Sequence, residues 1–262
     1  MSVAALIRPT GLALLLAALG TLAQVQQAPS TYEPHSGQAG KDVVWVPTPQ
    51  VVVDRMLDMS KVTPNDFVMD LGSGDGRTVI TAAKRGARAL GIEYNPDMVE
   101  LSKRNAEKEG VAGKARFIKA DLFETDFSEA SVITMFLLPQ INLKLRPKLL
   151  ALKPGTRIVS NTFHMGEWEA DETANLSDAG GCNVVWCTAL LWIVPAQVAG
   201  TYKLALGELT LNQEFQMLSG TLSTEGKTYA LEGGKVRGKE LSFKAGGREY
   251  HGRMNGKSLE LR

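Results

Sequence analysis

The chain has 262 residues, of which 44% are hydrophobic and 22% are charged, a composition typical of one large globular domain or of two smaller ones. Its 29 Lys and Arg residues nearly balance its 28 Asp and Glu residues, so the overall charge gives no support for nucleic-acid binding. We expect no nucleic-acid partner, although the balanced overall charge leaves the possibility of a local basic patch open.

The N-terminus has the pattern of a secretory signal peptide, residues 1–23. Arg8 precedes an apolar segment, residues 11–23, that is too short to span a bilayer comfortably. Small residues at Thr21 and Ala23 predict cleavage before Gln24, hence a periplasmic or secreted protein with no further membrane span. The alternative is an uncleaved anchor or a cytoplasmic protein.

Residues 24–42 are rich in Gln, Ser, Pro and Gly, which predicts a flexible lead-in. A short extended piece follows, and Thr48 with Pro49 then predicts a helix start, Thr48 being the N-cap. Trp45 and Thr48 are candidates for the mouth of a ligand site, and the alternative is that Trp45 fills the core.

A buried strand, a tight turn and a helix start are predicted around a glycine-rich stretch. The apolar run 67–69 leads into Asp70, and Gly72, Gly74 and Gly76 then occupy alternate positions. Glycines let the backbone approach a ligand and adopt positive φ, and free N–H groups at the helix start attract a carboxylate. A dinucleotide fingerprint would place its third glycine at position 77, which Arg77 occupies.

The pattern D-x-G-x-G-x-G resembles motif I of the class I S-adenosylmethionine-dependent methyltransferases. The resemblance implies an α/β fold with a doubly wound, Rossmann-like, mostly parallel sheet, and S-adenosyl-L-methionine as cofactor. It also implies which residues hold the methionyl end of that cofactor: Asp70, Gly72, Ser73, Gly74 and Gly76.

Two later acids extend the predicted cofactor site. Glu93 ends the second strand, at the sheet edge where a carboxylate accepts both ribose hydroxyls of an adenosine. NAD-binding folds use the same acid, so Glu93 indicates an adenosine-type ligand rather than a particular chemistry. In the class I pattern, Asp121 accepts from the adenine amino group and Leu122 packs on the ring.

The fourth strand, residues 130–138, is uninterrupted and rich in β-branched residues, as central parallel strands are. A helix is predicted over 141–152, interrupted or restarted at Pro147, and a fifth strand over 156–163. In class I methyltransferases the residues after the fourth strand face the methyl acceptor, which here are Leu138, Pro139 and Gln140.

Taken together, these segments look like the protein-lysine methyltransferases of the ATP synthase c-subunit type. The match runs from about Val43 to Trp168, and it implies a protein lysine or another amine as acceptor. The signal-like N-terminus and the C-terminal extension depart from that family. The segments that carry the resemblance are WVPTP (45–49), DLGSGDGR (70–77), GIEYNP (91–96), ADLF (120–123), FLLPQ (136–140) and TRIVSNTFHMGEW (156–168).

Four further side chains are candidates for a functional or structural role. We interpret His164 as a surface histidine rather than a general base, and Trp168 as a cover for the sheet edge rather than for the pocket. No His and Cys cluster has metal-binding spacing, so no metal site is expected. Cys182 and Cys187 need a turn between them to pair, and whether they pair stays open.

The C-terminal part has a different pattern. Residues 183–194 are apolar and predict a last strand or hairpin of the first sheet. From Gly200 to Arg262, apolar residues alternate at period two between glycine-bearing turns, which predicts an antiparallel meander of five or six strands. We therefore predict a methyltransferase domain at 43–195 and an antiparallel β domain at 196–262.

Three function classes remain. The leading one is methyl transfer from S-adenosylmethionine to a protein or small amine acceptor. The second is an exported, non-catalytic binding protein that keeps the fold as a scaffold, because the methyl donor is made in the cytoplasm. The third is an NAD-dependent oxidoreductase, which Arg77 disfavours.

Overall fold

The computed structural model describes Met1, residues 32–178 and residues 180–261. Apart from Met1, the predicted signal peptide lies outside the described residues. Glu33–Arg262 form one compact unit, to which all that follows refers. Among the described residues, no helix is both long enough and apolar enough to cross a membrane.

The first part of this unit is a seven-stranded sheet with the strand order β3-β2-β1-β4-β5-β7-β6. The first five strands run parallel, and β7 and β6 are antiparallel additions at one edge. The predicted doubly wound fold is confirmed. Its elements are α1 (Gln50–Met59), β1 (Phe67–Leu71), α2 (Arg77–Lys84), β2 (Arg88–Glu93), α3 (Pro96–Lys108), β3 (Ala115–Lys119), β4 (Val132–Met135), α4 (Pro139–Leu150), β5 (Arg157–Asn161), β6 (Glu172–Asn175) and β7 (Thr188–Ile193).

Strand β1 shows why the sheet is covered on both faces. Val68 belongs to a core cluster that includes residues of α1, α2 and α3. Its neighbour Met69 belongs to a second cluster, which includes residues of α4. Because successive side chains of a strand point to opposite faces, this alternation requires apolar cover on each side of the sheet.

Two predicted helix details are wrong. Helix α1 follows Pro49 as its N-cap, without a side-chain cap, so Thr48 does not cap it. Helix α4 runs unbroken through Pro147; the carbonyl that loses its partner there belongs to Leu143, on the exposed face of the helix. Asn95 caps α3, because its side chain accepts from the Asp97 amide at 2.9 Å.

The edge of the sheet contains a strand that the sequence analysis missed. Strand β6 pairs with β7, and its residues are mostly exposed, so no apolar alternation marks it. The loop between the two strands contains a disulfide from Cys182 to Cys187, with the Cα atoms 6.0 Å apart. The turn that pairing requires is present, which answers the question that the spacing left open.

The C-terminal part is an antiparallel sheet of eight strands, where five or six were predicted. The alternation is weak in β10 and β12 because Ser, Thr and Gly occupy many of their positions. Apolar side chains of this sheet form a core cluster that is separate from the two clusters of the first sheet. Its strands are β8 (Gly200–Leu204), β9 (Gly207–Glu214), β10 (Met217–Thr224), β11 (Lys227–Ala230), β12 (Glu232–Arg237), β13 (Glu240–Ala245), β14 (Arg248–Asn255) and β15 (Ser258–Leu261).

The two sheets meet through an aromatic contact. Phe215, between β9 and β10, stacks on Trp168 with the ring centroids 6.3 Å apart and the planes 14° apart. Trp168 is fully buried and also packs against Trp192 of β7. Next to Phe215, the Gln216 side chain donates to the Glu169 carbonyl at 2.7 Å. Trp168 thus covers the sheet edge, as expected; the domain boundary near Pro195 stays a prediction.

We expect Phe215→Ala to lower the free energy of unfolding by about 2 kcal/mol, because it removes a stacked ring from a buried partner. Met217→Ala, two residues along the chain, is the control: Met217 is 53% exposed, and its truncation should cost less than about 0.5 kcal/mol. Urea unfolding measures both. Equal losses would show that the Trp168 contact contributes nothing specific.

Candidate cofactor and acceptor site

A pocket lies at the carboxyl edge of the parallel sheet, between β1 and β4. From these two neighbouring strands the chain continues in opposite directions across the sheet, to β2 on one side and to β5 on the other. This is the position at which open α/β sheets bind ligands. The pocket holds about 1030 Å³ of free space, its open mouth included. Its walls are the residues after β1, β2, β3 and β4, and residues 38–48 cross its mouth.

The glycine loop after β1 has the backbone that the sequence predicts. Gly72, Gly74 and Gly76 have φ values of 78°, 53° and 83°. Its amides, however, are largely engaged within the protein. Gly72 and Ser73 donate to the Ile92 carbonyl at 2.9 and 3.1 Å, and Gly74 donates to Glu93 Oε2 at 2.9 Å. A ligand that binds the Gly74 amide must therefore replace Glu93, whereas the expectation of free N–H groups concerns the start of α2 and stays a prediction.

Close packing explains why residue 74 is glycine. A Cβ at Gly74 would lie 2.4 Å from Nε1 of Trp45, which lines the pocket. Helix α3 fixes the loop from the other side: Ser102 Oγ donates to the Gly74 carbonyl at 2.7 Å, and Asn105 Nδ2 donates to the Asp75 carbonyl at 2.9 Å. The two interpretations of Trp45 are thereby resolved in favour of the pocket.

Asp70 is the most perturbed acid of the site. Burial, together with the nearby negative charges of Glu93 and Asp75, raises its pKa to about 7. A hydrogen bond from Thr134 Oγ1, at 2.6 Å to Oδ1, acts in the opposite direction. A positively charged ligand would therefore gain from this acid and shift it to the ionised form.

Glu93 and Asp121 lie where the adenosine motifs predict them, and both line the pocket with Leu122. The half-buried Glu93 carboxylate accepts from the Gly74 and Asn95 amides, both at 2.9 Å. Asp121 accepts from the Phe123 amide and forms an ion pair with Lys41. The hydrogen bond from Lys41 holds the pKa of Asp121 below its ordinary value.

Not every predicted residue reaches the pocket wall. Gly76 is the N-cap of α2 and packs against the ring of Phe117. A Cβ at Gly76 would lie 2.8 Å from the nearest ring atoms of Phe117. Leu138, Pro139 and Gln140 begin α4, whereas Phe136 and Leu137, just before them, line the pocket. The acceptor role of residues 138–140 stays a prediction.

Residues 38–48 form a segment over the pocket mouth, and the sequence analysis connected only Trp45 and Thr48 of this segment with a ligand site. Lys41 reaches Asp121, and its ammonium lies 4.8 Å from the centre of the Tyr94 ring. At the other end of the segment, the Arg77 guanidinium donates to the Thr48 carbonyl at 2.9 Å and pairs with Asp75. Arg77, which breaks the dinucleotide fingerprint, therefore joins this segment to the glycine loop.

These residues fit S-adenosylmethionine. Asp70 and Glu93 offer carboxylates to a cationic amino acid and to ribose hydroxyls, and the Gly74 amide is a donor for a carboxylate. Asp121 and Leu122 offer an acceptor and an apolar surface to a purine. Among the described residues, no group of three or more His, Cys, Asp or Glu side chains is placed to hold a metal ion.

Comparisons with known proteins agree with this site. A family model described as the ANTKMT methyltransferase domain matches residues 70–172. A protein-lysine N-methyltransferase of Saccharolobus islandicus is 45% identical over 159 residues, which cover 60% of this chain and 94% of that protein. The human ATP synthase c-subunit lysine N-methyltransferase is 36% identical over 143 residues, which cover 54% of this chain and only 59% of that protein.

A solved structure extends the comparison to the cofactor. The crystal structure of an RNA methyltransferase from Salinibacter ruber, in complex with S-adenosyl-L-homocysteine, aligns with this chain with a TM-score of 0.54. The two amino-acid sequences are 48% identical. The alignment covers 58% of this chain and 96% of that one.

The fold, the pocket and these matches define an S-adenosylmethionine-dependent methyltransferase. Because a protein-lysine N-methyltransferase is 45% identical over almost its whole length, the chain belongs to the protein-lysine N-methyltransferase family. The predicted cofactor and enzyme class are confirmed, and the scaffold and oxidoreductase alternatives are not favoured.

We expect the titration of Asp70 to appear in the stability of the protein. Its pKa is about 7 in the folded protein against 3.8 ordinarily, so the folded state binds the extra proton between pH 4 and 7. The free energy of unfolding therefore falls as the pH rises through this window. Asp70→Asn should remove about 2 to 4 kcal/mol of that decline. Urea unfolding from pH 4.5 to 7.5 measures it, with exposed Glu129→Gln as control; parallel profiles for Asp70→Asn and wild type would refute the assignment.

We expect Gly74→Ala to weaken S-adenosylmethionine binding at least about tenfold, because its Cβ would displace Trp45. Gly110→Ala is the matched control, since Gly110 also has positive φ, at 69°, but no atom within 4 Å of an added Cβ. Both variants should lose about 1 to 2 kcal/mol of stability for the backbone conformation. Calorimetric titration distinguishes them, and equal cofactor affinities would contradict the packing argument.

Proposed function

We propose that the protein transfers a methyl group from S-adenosylmethionine to the ε-amine of a lysine in a protein acceptor. The observation that carries this is the set of carboxylates around the glycine loop, in a chain that belongs to the protein-lysine N-methyltransferase family. The names of the relatives support lysine as the acceptor group. A small amine stays the alternative acceptor.

The chain's own residues act mainly by binding and positioning. S-adenosylmethionine, when bound, supplies a methyl group that its positive sulfonium already activates for attack by a neutral amine. Asp70 and the Gly74 amide hold the methionyl end, Glu93 the ribose, and Asp121 with Leu122 the adenine. Leu138, Pro139 and Gln140 border the acceptor, so that donor and acceptor meet in line.

The segment over the pocket mouth has to open for the cofactor. Lys41 occupies the carboxylate of Asp121, and the Glu93 carboxylate holds the Gly74 amide. Cofactor binding replaces both contacts, and the Lys41 ammonium and the Glu93 carboxylate then remain close to the bound cofactor. We infer that residues 38–48 close over the bound cofactor and exclude water from the transfer.

We also propose a periplasmic or secreted location. Its support is the apolar N-terminal pattern of the sequence together with the Cys182–Cys187 disulfide, because disulfides persist chiefly in oxidising compartments. Cell fractionation with the full chain tests this. Recovery of the protein in the cytoplasmic fraction with both thiols reduced would refute it.

Methyl transfer is tested with radiolabelled S-adenosylmethionine and two acceptor preparations, a bacterial protein extract and total bacterial RNA. We expect label in protein, recovered as Nε-methyllysine after hydrolysis. Glu93→Ala should slow transfer about tenfold or more because ribose hydrogen bonds to a charged group are lost, and exposed Glu129→Ala should not.

Two results would overturn the proposal. Label recovered in nucleosides would favour RNA, the substrate class in the description of the Salinibacter ruber structure. No transfer to either preparation by a protein that binds S-adenosylmethionine would favour the non-catalytic scaffold.

A further inference from the structure

Three aromatic rings meet beside the cofactor pocket, at the carboxyl ends of β4 and β5. Phe136 follows β4, Phe163 follows β5, and Trp186 lies in the loop before β7. Their ring centroids are 5.6 to 6.1 Å apart. All three side chains are half-buried, unlike the fully buried core rings of Trp168, Trp192, Phe127 and Phe243. We call these three residues the aromatic trio.

Phe136 connects the trio to the pocket. It lines the pocket wall next to Leu137, and it stacks on Phe163 with the ring planes 17° apart. The trio therefore adjoins the cofactor pocket through Phe136, while Phe163 and Trp186 lie next to it outside the pocket lining.

A strained turn places Phe163. The Phe163 amide donates to the Asn161 carbonyl at 2.7 Å, across Thr162, whose φ is 62°. This is the rare form of γ-turn, with positive φ, and a β-branched residue is an outlier there. Strain of this kind persists only where neighbours fix the backbone, and it clusters at functional sites.

Three hydrogen bonds fix this turn. The Thr162 amide donates to the Thr188 carbonyl at 2.7 Å. The Phe163 carbonyl accepts from Ser160 Oγ at 2.9 Å and from Asn142 Nδ2 at 3.1 Å. Strand β7 and helix α4 thus hold the Phe163 backbone in a conformation that β5 alone would not adopt.

A covalent loop places Trp186. The disulfide closes residues 182–187, and Cys187, adjacent to Trp186, is 1% exposed. The preceding residues Val184 and Val185 are exposed. The disulfide therefore anchors a short loop whose one large half-buried ring, Trp186, turns towards Phe136 and Phe163.

We propose that the aromatic trio binds the side chain of the acceptor lysine. The rings pack against its methylene stem, and their π faces attract its ammonium or a methylated ammonium. In the described part of the chain, the Lys and Arg groups that lie over aromatic rings lie over Tyr94, Phe67, Phe123, Phe215 and Phe127. The faces of the trio are thus not occupied by the protein's own cations. This proposal rests on the proposed lysine methyl transfer.

The first test is kinetic and uses the full chain with the protein acceptor preparation. Phe163→Ala and Trp186→Ala should each raise the acceptor KM at least about fivefold, with the Kd of S-adenosylmethionine changed less than twofold. Trp186→Phe should restore most of the affinity, and Val185→Ala, on the same loop, should behave as wild type. Unchanged acceptor KM in both alanine variants, or an equal loss of cofactor affinity, would overturn the proposal.

The second test detects the cation directly. The probe is Nα-acetyl-Nε-trimethyllysine amide, added to the protein saturated with S-adenosylhomocysteine and labelled at the tryptophan indole nitrogens. The Trp186 signal, assigned by its loss in Trp186→Phe, should shift saturably, whereas those of buried Trp168 and Trp192 should not. The neutral analogue with carbon in place of the quaternary nitrogen should bind at least about fivefold more weakly.

The outcomes separate the two proposals. Failure of S-adenosylhomocysteine to bind, or transfer to RNA alone, contradicts the proposed function. Normal lysine methylation with a stationary Trp186 signal contradicts only the role of the aromatic trio. Loss of the shift in the Cys182→Ser, Cys187→Ser double variant, with cofactor binding intact, would support the loop as the element that positions Trp186.

Discussion

Until a ligand takes the Gly74 amide, the hydrogen bond from this amide to the Glu93 carboxylate organises the cofactor site. It joins the loop after β1 to the end of β2, so the part of the site for the methionyl end and the part for the ribose are fixed as one unit. The second oxygen of the same carboxylate accepts from the Asn95 amide, which ties the start of α3 to this unit. Two side chains of helix α3, those of Ser102 and Asn105, donate hydrogen bonds to the backbone carbonyls of the loop. The backbone conformation of three alternate glycines is thereby determined from both sides.

The same arrangement concentrates negative charge. Asp75 and Glu93 both raise the pKa of the buried Asp70 carboxyl, which means that their fields converge where the cationic methionyl group of the cofactor is expected. S-adenosylmethionine has a positive sulfonium that S-adenosylhomocysteine lacks, so this field favours the donor over the product. Arg77 limits the repulsion among the acids by pairing with Asp75. The residue that distinguishes this loop from a dinucleotide fingerprint therefore also stabilises it.

The sequence predicted the parallel sheet and most of the residues that line the pocket after β1, β2 and β3 because both depend on local signals. Alternate glycines after an apolar run, and an acid one strand-helix-strand unit later, are visible without any knowledge of tertiary contacts. What it missed depends on contacts between distant residues. Lys41 meets Asp121 across 80 positions, so composition alone made residues 32–42 read as part of a flexible lead-in. The γ-turn at Thr162 has no local signature, since its conformation is imposed by Thr188 and Asn142. Strand β6 is mostly exposed and β10 is rich in Ser and Thr, so their period-two alternation is hidden.

The C-terminal sheet packs against the β5 side of the first sheet. Its contact residue Phe215 stacks on Trp168, in the connection between β5 and β6, and the Arg146 guanidinium of α4 lies 5.3 Å from the centre of the same ring. Arg146 also donates to the Met165 carbonyl at 2.9 Å, close to the Asn142 side chain that holds Phe163. Every contact in this chain of packing lies on the β5 side of the pocket, away from Asp70, Glu93 and Asp121. The family match ends at residue 172, before this sheet begins. The C-terminal sheet, which lies beyond the family match, therefore packs against the connection between β5 and β6 and against α4, on the side of the pocket where we propose that the acceptor binds.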